Sequence, residues 1–145
     1  MSTASEPVAA TGTTASTASP TLLVRGLAAA GIATVVNVVL LLVATAAGAA
    51  MAVAMGGSTM VVGIAPVIVA TILPLAIGAV VAWLLARRWP RTTKVLAWVG
   101  LVLAVASTFQ PLTAATEPTS GVTLAIMHLV AGGSFFAALM ARRSR

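Results

Sequence analysis

An all-α, polytopic membrane protein, built as an antiparallel bundle of four transmembrane helices behind a disordered N-terminal tail, is the fold class this sequence predicts. Three observations predict it. Of the 145 residues, 60% are hydrophobic and 7% are charged, and the mean hydropathy is +1.12. The apolar residues gather into four runs separated by Gly, Pro and basic stretches. A soluble chain of this length folds as one domain and leaves much of its surface to charged side chains, so the solvent for most of this surface is predicted to be lipid.

The third observation is the placement of charge. The formal net charge is +6 and the sequence pI is about 12.0, values that in a soluble chain suggest nucleic acid. The basic residues occupy only three places. Arg25 precedes the first run, Arg87, Arg88, Arg91 and Lys94 lie between the second and third, and Arg142, Arg143 and Arg145 close the chain. Basic residues beside spans stay on the cytoplasmic side, so this alternation predicts a multi-pass protein of the cell membrane with both termini cytoplasmic. The expected partner is the lipid bilayer, through unspecific attraction to anionic inner-leaflet lipid, and not nucleic acid.

Along the chain, residues 1–24 are rich in Ser, Thr, Ala and Pro with Glu6 as their only charge, which predicts a disordered cytoplasmic tail. The absence of early positive charge argues against a secretory leader. The first span is predicted over residues 26–47, and a helix rising about 1.5 Å per residue over that length crosses a hydrocarbon core of about 30 Å. The alternative, an apolar leader cleaved after Ala44-Thr45-Ala46, would leave three spans. The run continues past Ala46 and its length fits a span better. Residues 48–59 are a weakly apolar connection turning at Gly56-Gly57-Ser58.

The second span is predicted over residues 60–86, with Pro66 and Pro74 inside it and a kink near either. Pro90 and the basic loop end it. The third is predicted over residues 95–110, capped by Thr92 or Thr93 and stopped by Pro111. Residues 113–120 form a loop holding Glu117 and Pro118, and the fourth span covers residues 121–141. Trp83, Trp89 and Trp98 all flank the basic loop. Indoles favour the headgroup level, so with the basic residues they are predicted to anchor the inner interface.

Within the spans the informative residues are polar, because a polar group in hydrocarbon needs a partner or water. His128 is the one ionisable side chain there, and at helical spacing it shares its face with Leu124, Ala125, Ala131 and Gly132. Asn37 lies with Ala30, Ala33, Thr34 and Ala44, Thr71 with Pro74, Gly78 and Ala82, and Ser107 with Gly100 and Ala104. Small residues let helices approach closely, which turns each polar face inward. His128, Asn37, Ser107 and Thr71, with Gln110 near the outer end and Glu117 at the mouth, therefore form a candidate outward-facing polar pocket. The competing reading makes them interhelical contacts of about 0.6 to 2 kcal/mol each. Two small-residue ladders, Gly133/Ala137/Ala141 and Gly48/Ala52/Gly56, read as helix packing before dimerisation.

Other chemistry is poorly supported. The chain has no cysteine, one histidine and two acids, too few groups for a metal site of its own, and no cofactor is expected. Gly132-Gly133-Ser134 lacks the second glycine of a hydrolase elbow, so no catalytic residue is assigned and an enzyme is not expected.

Leu23-Val24-Arg25-Gly26-Leu27, the pair Arg87-Arg88, the stretch Met127-His128-Leu129-Val130-Ala131-Gly132 and the closing Arg142-Arg143 resemble a family of small, uncharacterised four-span membrane proteins of actinobacteria, a domain of unknown function, over about residues 22–143. The resemblance implies the fold and the membrane and assigns no activity. Small multidrug transporters are similar in size and span number, but they rely on a glutamate in the first helix where this chain offers Asn37. The sequence thus points to a structural or interaction subunit, a homo-oligomer or the companion of a larger membrane protein. A small transporter or ligand-binding protein using the pocket around His128 is the alternative.

Overall fold

The computed structural model describes residues 20–141. The tail before Pro20 and the anchors Arg142 and Arg143 lie outside the described residues. In chain order the elements are α1 (Pro20–Ala46), β1 (Ala52–Met55), β2 (Ser58–Val61), α2 (Ile64–Arg88), α3 (Thr92–Ser107), α4 (Phe109–Ala114) and α5 (Pro118–Met140). Four helical segments are long and apolar enough to cross a membrane, with α3 and α4 together making the third, Thr92–Ala114.

Contacts along the helices fix their relative directions. Gly26 abuts Ala79 while Asn37 reaches Thr71, so α1 and α2 run oppositely. Arg25 donates to the carbonyl of Ala141 and Asn37 to that of Met127, so α1 and α5 do too. Gly132 lies on Ala104 and the Phe135 ring on Gly100, which sets α3 against α5. A Cβ on Gly26 would come within 2.5 Å of the Ala79 methyl. Glycine is required there and at Gly132, because two backbones meet where any side chain would force them apart. α2 and α3 pack on α1 and α5 respectively and touch each other sparsely. A lateral opening results between them.

Two apolar clusters fill the interior. One, beneath the strands, gathers Leu41, Met51, Val53, Val67, Leu124 and Met127, and the other, toward the arginines, gathers Ala30, Ala33, Leu75, Ala97, Phe135 and Leu139. The outer face is aliphatic as well: Ile32, Val35, Val43, Val69, Val102 and Leu103 each expose 60% to 65% of their surface. Scattered exposed valines are ordinary on soluble proteins, but an outer face made of them on the spanning segments suits hydrocarbon.

The structure departs from the sequence expectations at five places. α1 begins at Pro20, so residues 20–24 of the expected tail are helical, the proline serving as a first residue that needs no N–H partner. The connection after α1 is a β-hairpin with register Met55↔Ser58 to Ala52↔Val61, so the chain is not purely helical and Met60 and Val61 belong to a strand. Gly56 and Gly57 both have positive φ, 55° and 85°, the conformation a two-residue hairpin turn requires. That hairpin also removes the Gly48/Ala52/Gly56 ladder from any helix. Pro66 falls in the first turn of α2, leaving Pro74 as its interior proline. Pro111 does not stop the third segment, because a break at Thr108 restarts the helix and puts Pro111 third in α4, where no N–H is needed. Neither Thr92 nor Thr93 caps α3: Arg91 occupies the cap position, and the Thr92 hydroxyl donates to the carbonyl of Trp89.

Candidate functional site

Asn37 is the most deeply buried polar side chain of α1 and α2, 2% exposed. Its Nδ2 donates to Thr71 Oγ1 at 3.1 Å and to the carbonyl of Met127 at 3.2 Å. A carbonyl only accepts, so Nδ2 must face Met127, and Oδ1 is left with no hydrogen bond among the described residues. A buried acceptor without a donor costs about 1 to 3 kcal/mol. The next residue on α5, His128, is half-buried, and its Nδ1 lies 2.7 Å from the carbonyl of Leu124. By the same logic Nδ1 carries the proton. When the ring is uncharged, Nε2 is then an acceptor, and no described residue bonds it.

Two clefts meet at this histidine. The larger, about 530 Å³, runs between α2 and α3 with α5 as its floor and is lined by Pro74, Gly78, Gly100, Ser107, His128 and Phe135 among others. The smaller, about 310 Å³, lies under the hairpin and is lined by Asn37, Met55, Met60, Thr71, Gln110 and His128 among others. Ala70, His128 and Ala131 line both. Small residues create the space: Gly78 and Gly100 give the Phe135 ring its seat. Pro74 has no N–H, so the carbonyl of Ala70, four residues earlier, lacks its usual helical donor.

The candidate residues therefore divide. Asn37, Thr71 and Gln110 line the smaller cleft, Ser107 the larger, and His128 both. The Ser107 hydroxyl donates to the carbonyl of Ala104, which leaves its oxygen as an acceptor. Glu117 lines neither cleft. Its Oε1 accepts from the Ala50 N–H and from the Ser120 hydroxyl, both at 2.6 Å, and Ser120 Oγ in turn accepts from the Met51 N–H at 2.9 Å. The serine donation first, and the Ala50 amide second, hold the Glu117 carboxyl below the usual carboxylate range. Thr116 donates through its N–H and its hydroxyl to the carbonyl of Ala52. Together these bonds clamp the hairpin to the start of α5 and hold Met51 at φ 48°.

At the other end, Arg87 lies over the Trp83 ring at 5.0 Å, a cation–π arrangement, while the Trp83 N–H has no partner among the described residues. Trp98 meets Phe136 edge-on at 4.9 Å. Arg25 caps the last turn of α5, and Arg88, Trp89, Arg91 and Lys94 are exposed around the α2–α3 turn.

Compared with known proteins, residues 17–145 match the model of a family of unknown function, DUF6069. The chain belongs to this family. Its match takes in all the elements described above, so family membership and the four apolar segments go together without indicating a molecular function. No curated protein and no solved structure matches the chain.

Reading the sequence missed Ala70, Pro74 as the source of a free carbonyl, Phe135, and the Ser120–Met51 pair. Pro74 was legible, since an interior proline always frees the carbonyl four residues back. The hairpin had a signal as well, a Gly-Gly pair between Ala-Val-Ala-Met and Ser-Thr-Met-Val. Nothing local in the sequence ties Met51 to Ser120.

Proposed function

We propose that this DUF6069 member is a polytopic protein of the cell membrane, an antiparallel four-helix bundle with both termini cytoplasmic, that binds a small molecule in the paired clefts around His128. The observation that carries this reading is the junction itself, where two clefts share a histidine whose second nitrogen has no partner among the described residues. Groups that served only as interhelical glue would satisfy one another. Clefts of about 300 to 1,000 Å³ with apolar walls and a few polar groups are the usual form of a ligand site. The hairpin end is the outer end in this reading, because the basic residues and tryptophans collect at the opposite end.

The second reading, an interaction subunit in a homo-oligomer or beside a larger partner, is favoured by Gly31 and Gly133, which face open space on α1 and α5. Single cysteines separate the two, since the chain has none of its own. With His128→Cys and, as a control in the hairpin turn, Gly57→Cys, a membrane-impermeant thiol reagent applied to intact cells is expected to label both. Labelling of position 57 alone would mean a dry interior and would favour the interaction subunit. Protection of position 57 would overturn the outward placement of the hairpin.

A further inference from the structure

Three unpaired atoms around the junction are acceptors. With Nδ1 committed to Leu124, Nε2 of His128 is an acceptor whenever the ring is uncharged. The Ala70 carbonyl, freed by Pro74, is an acceptor, and Asn37 Oδ1, buried in the wall of the smaller cleft, is another. Among the described residues no Arg, Lys, Asp or Glu lines either cleft. A head seated against these acceptors brings the protons, and an anionic head there would meet oxygen and nitrogen lone pairs with no positive charge to offset them.

Depth narrows the choice. His128 lies ten residues into α5, counted from Pro118, or about 15 Å along a helix axis rising about 1.5 Å per residue. That is near the middle of a hydrocarbon core of about 30 Å. A phospholipid headgroup stays at the membrane surface, whereas a lipophile with one small polar end reaches this level. The larger cleft, walled by Gly78, Gly100 and the Phe135 ring and open between α2 and α3, suits its apolar body.

We propose that the paired clefts bind a lipophilic molecule carrying a hydrogen-bond-donating head, a hydroxyl or an amine, with the head at His128 and Ala70 and the apolar body against Phe135. This rests on the clefts being a binding site, and the test keeps the two ideas apart. The chain has one histidine and three phenylalanines, so labelled imidazole nitrogens report the junction directly, and labelled phenylalanine rings, assigned with Phe135→Leu, report the larger cleft.

The full chain in phosphatidylcholine bilayers would be titrated with 1-dodecanol, dodecylamine and methyl dodecyl ether while both sets of resonances are followed. The alcohol or the amine is expected to move the Nε2 and Phe135 signals together and to bind about tenfold more tightly than the ether, the effect of one hydrogen bond to an otherwise unpaired acceptor. The tighter of the two identifies the head. His128→Leu is expected to erase the preference over the ether while the Phe135 shift persists. If alcohol, amine and ether move Phe135 with equal affinity and leave Nε2 still, the clefts bind lipophiles but the donor requirement is overturned. If none moves Phe135, the binding site itself is overturned.

Discussion

The polar groups at the hairpin end and those around His128 are made of similar residues and are treated in opposite ways. Beneath the hairpin, Glu117, Ser120, Thr116 and the amides of Ala50 and Met51 form a closed set in which each donor has found an acceptor. Ser120 is 0% exposed and leaves nothing unpaired. At mid-helix, Asn37 and His128 each spend one side of their hydrogen-bonding capacity on the protein and leave the other empty. Satisfied polar networks rigidify a structure, and partly satisfied ones are costly unless something else completes them. The first region is a closed clamp, and the second is left open to a further partner.

The largest expected effect lies where neither region could form without close helix approach. Gly132→Leu would drive a side chain into Ala104, and a loss of about 3 kcal/mol or more, or failure to fold, is expected in reversible unfolding in detergent. Wild-type stability would show that α3 and α5 are not held at that distance.

Ser120→Ala strips the Met51 N–H of its acceptor and Glu117 of a donor. A loss of about 1 to 3 kcal/mol is expected, because a buried donor is left unpaired, with the Met51 amide exchanging faster with solvent. Protection of that amide unchanged by the mutation would remove Ser120 from the clamp.

The clamp also sets a pH dependence. The Glu117 carboxyl is held low in the fold, so its contribution is present above the unfolded carboxylate value of about 4.3 and fades as pH falls through the lower folded value. Thermal unfolding followed between about pH 6 and pH 3 should show this loss, and Glu117→Gln should flatten it. An identical slope in the variant would mean that Glu117 is not the titrating group.

Gly57→Ala tests the turn alone. An alanine at φ 85° is expected to destabilise by about 1 kcal/mol, with no neighbouring atom to add to the effect.

The smallest change in stability is expected from Asn37→Leu, and it sharpens the comparison most. The exchange removes the unpaired oxygen together with the donor of two long bonds, and the groups left behind, a hydroxyl and a carbonyl within a helix, are acceptors only partly dependent on it, so stability should stay within about 1 kcal/mol, whereas the same exchange in a closed network would be costly. A loss above about 3 kcal/mol would place Asn37 with the clamp instead.

Much of the layout was legible in the sequence. The four apolar runs and the alternation of Arg25, the Arg87–Lys94 stretch and Arg142-Arg143 follow from transfer energies that act residue by residue. The inward faces of Asn37 and Thr71 followed from helical spacing to small residues, and the structure joins those two side chains. Glu117 was assigned to the mouth of a pocket because its loop position was visible and its partners were not. Those partners, Ala50 and Ser120, include a backbone amide, which every residue carries and no sequence pattern marks. Gly133 shows the limit from the other side. Its ladder looked like packing, yet it faces open space while its neighbour Gly132 makes the close approach.

By itself the sequence determined which segments are apolar enough to span a membrane, where the basic ends lie, and which polar residues share a face with small ones, since these depend on side-chain chemistry and the period of a helix. Only the tertiary structure decided that the hairpin folds back onto α5, that α2 and α3 stand apart over Phe135, and that His128 and Ala70 line both clefts. Those outcomes depend on which backbones approach within a methyl group of one another, a property of pairs of helices that no single segment encodes.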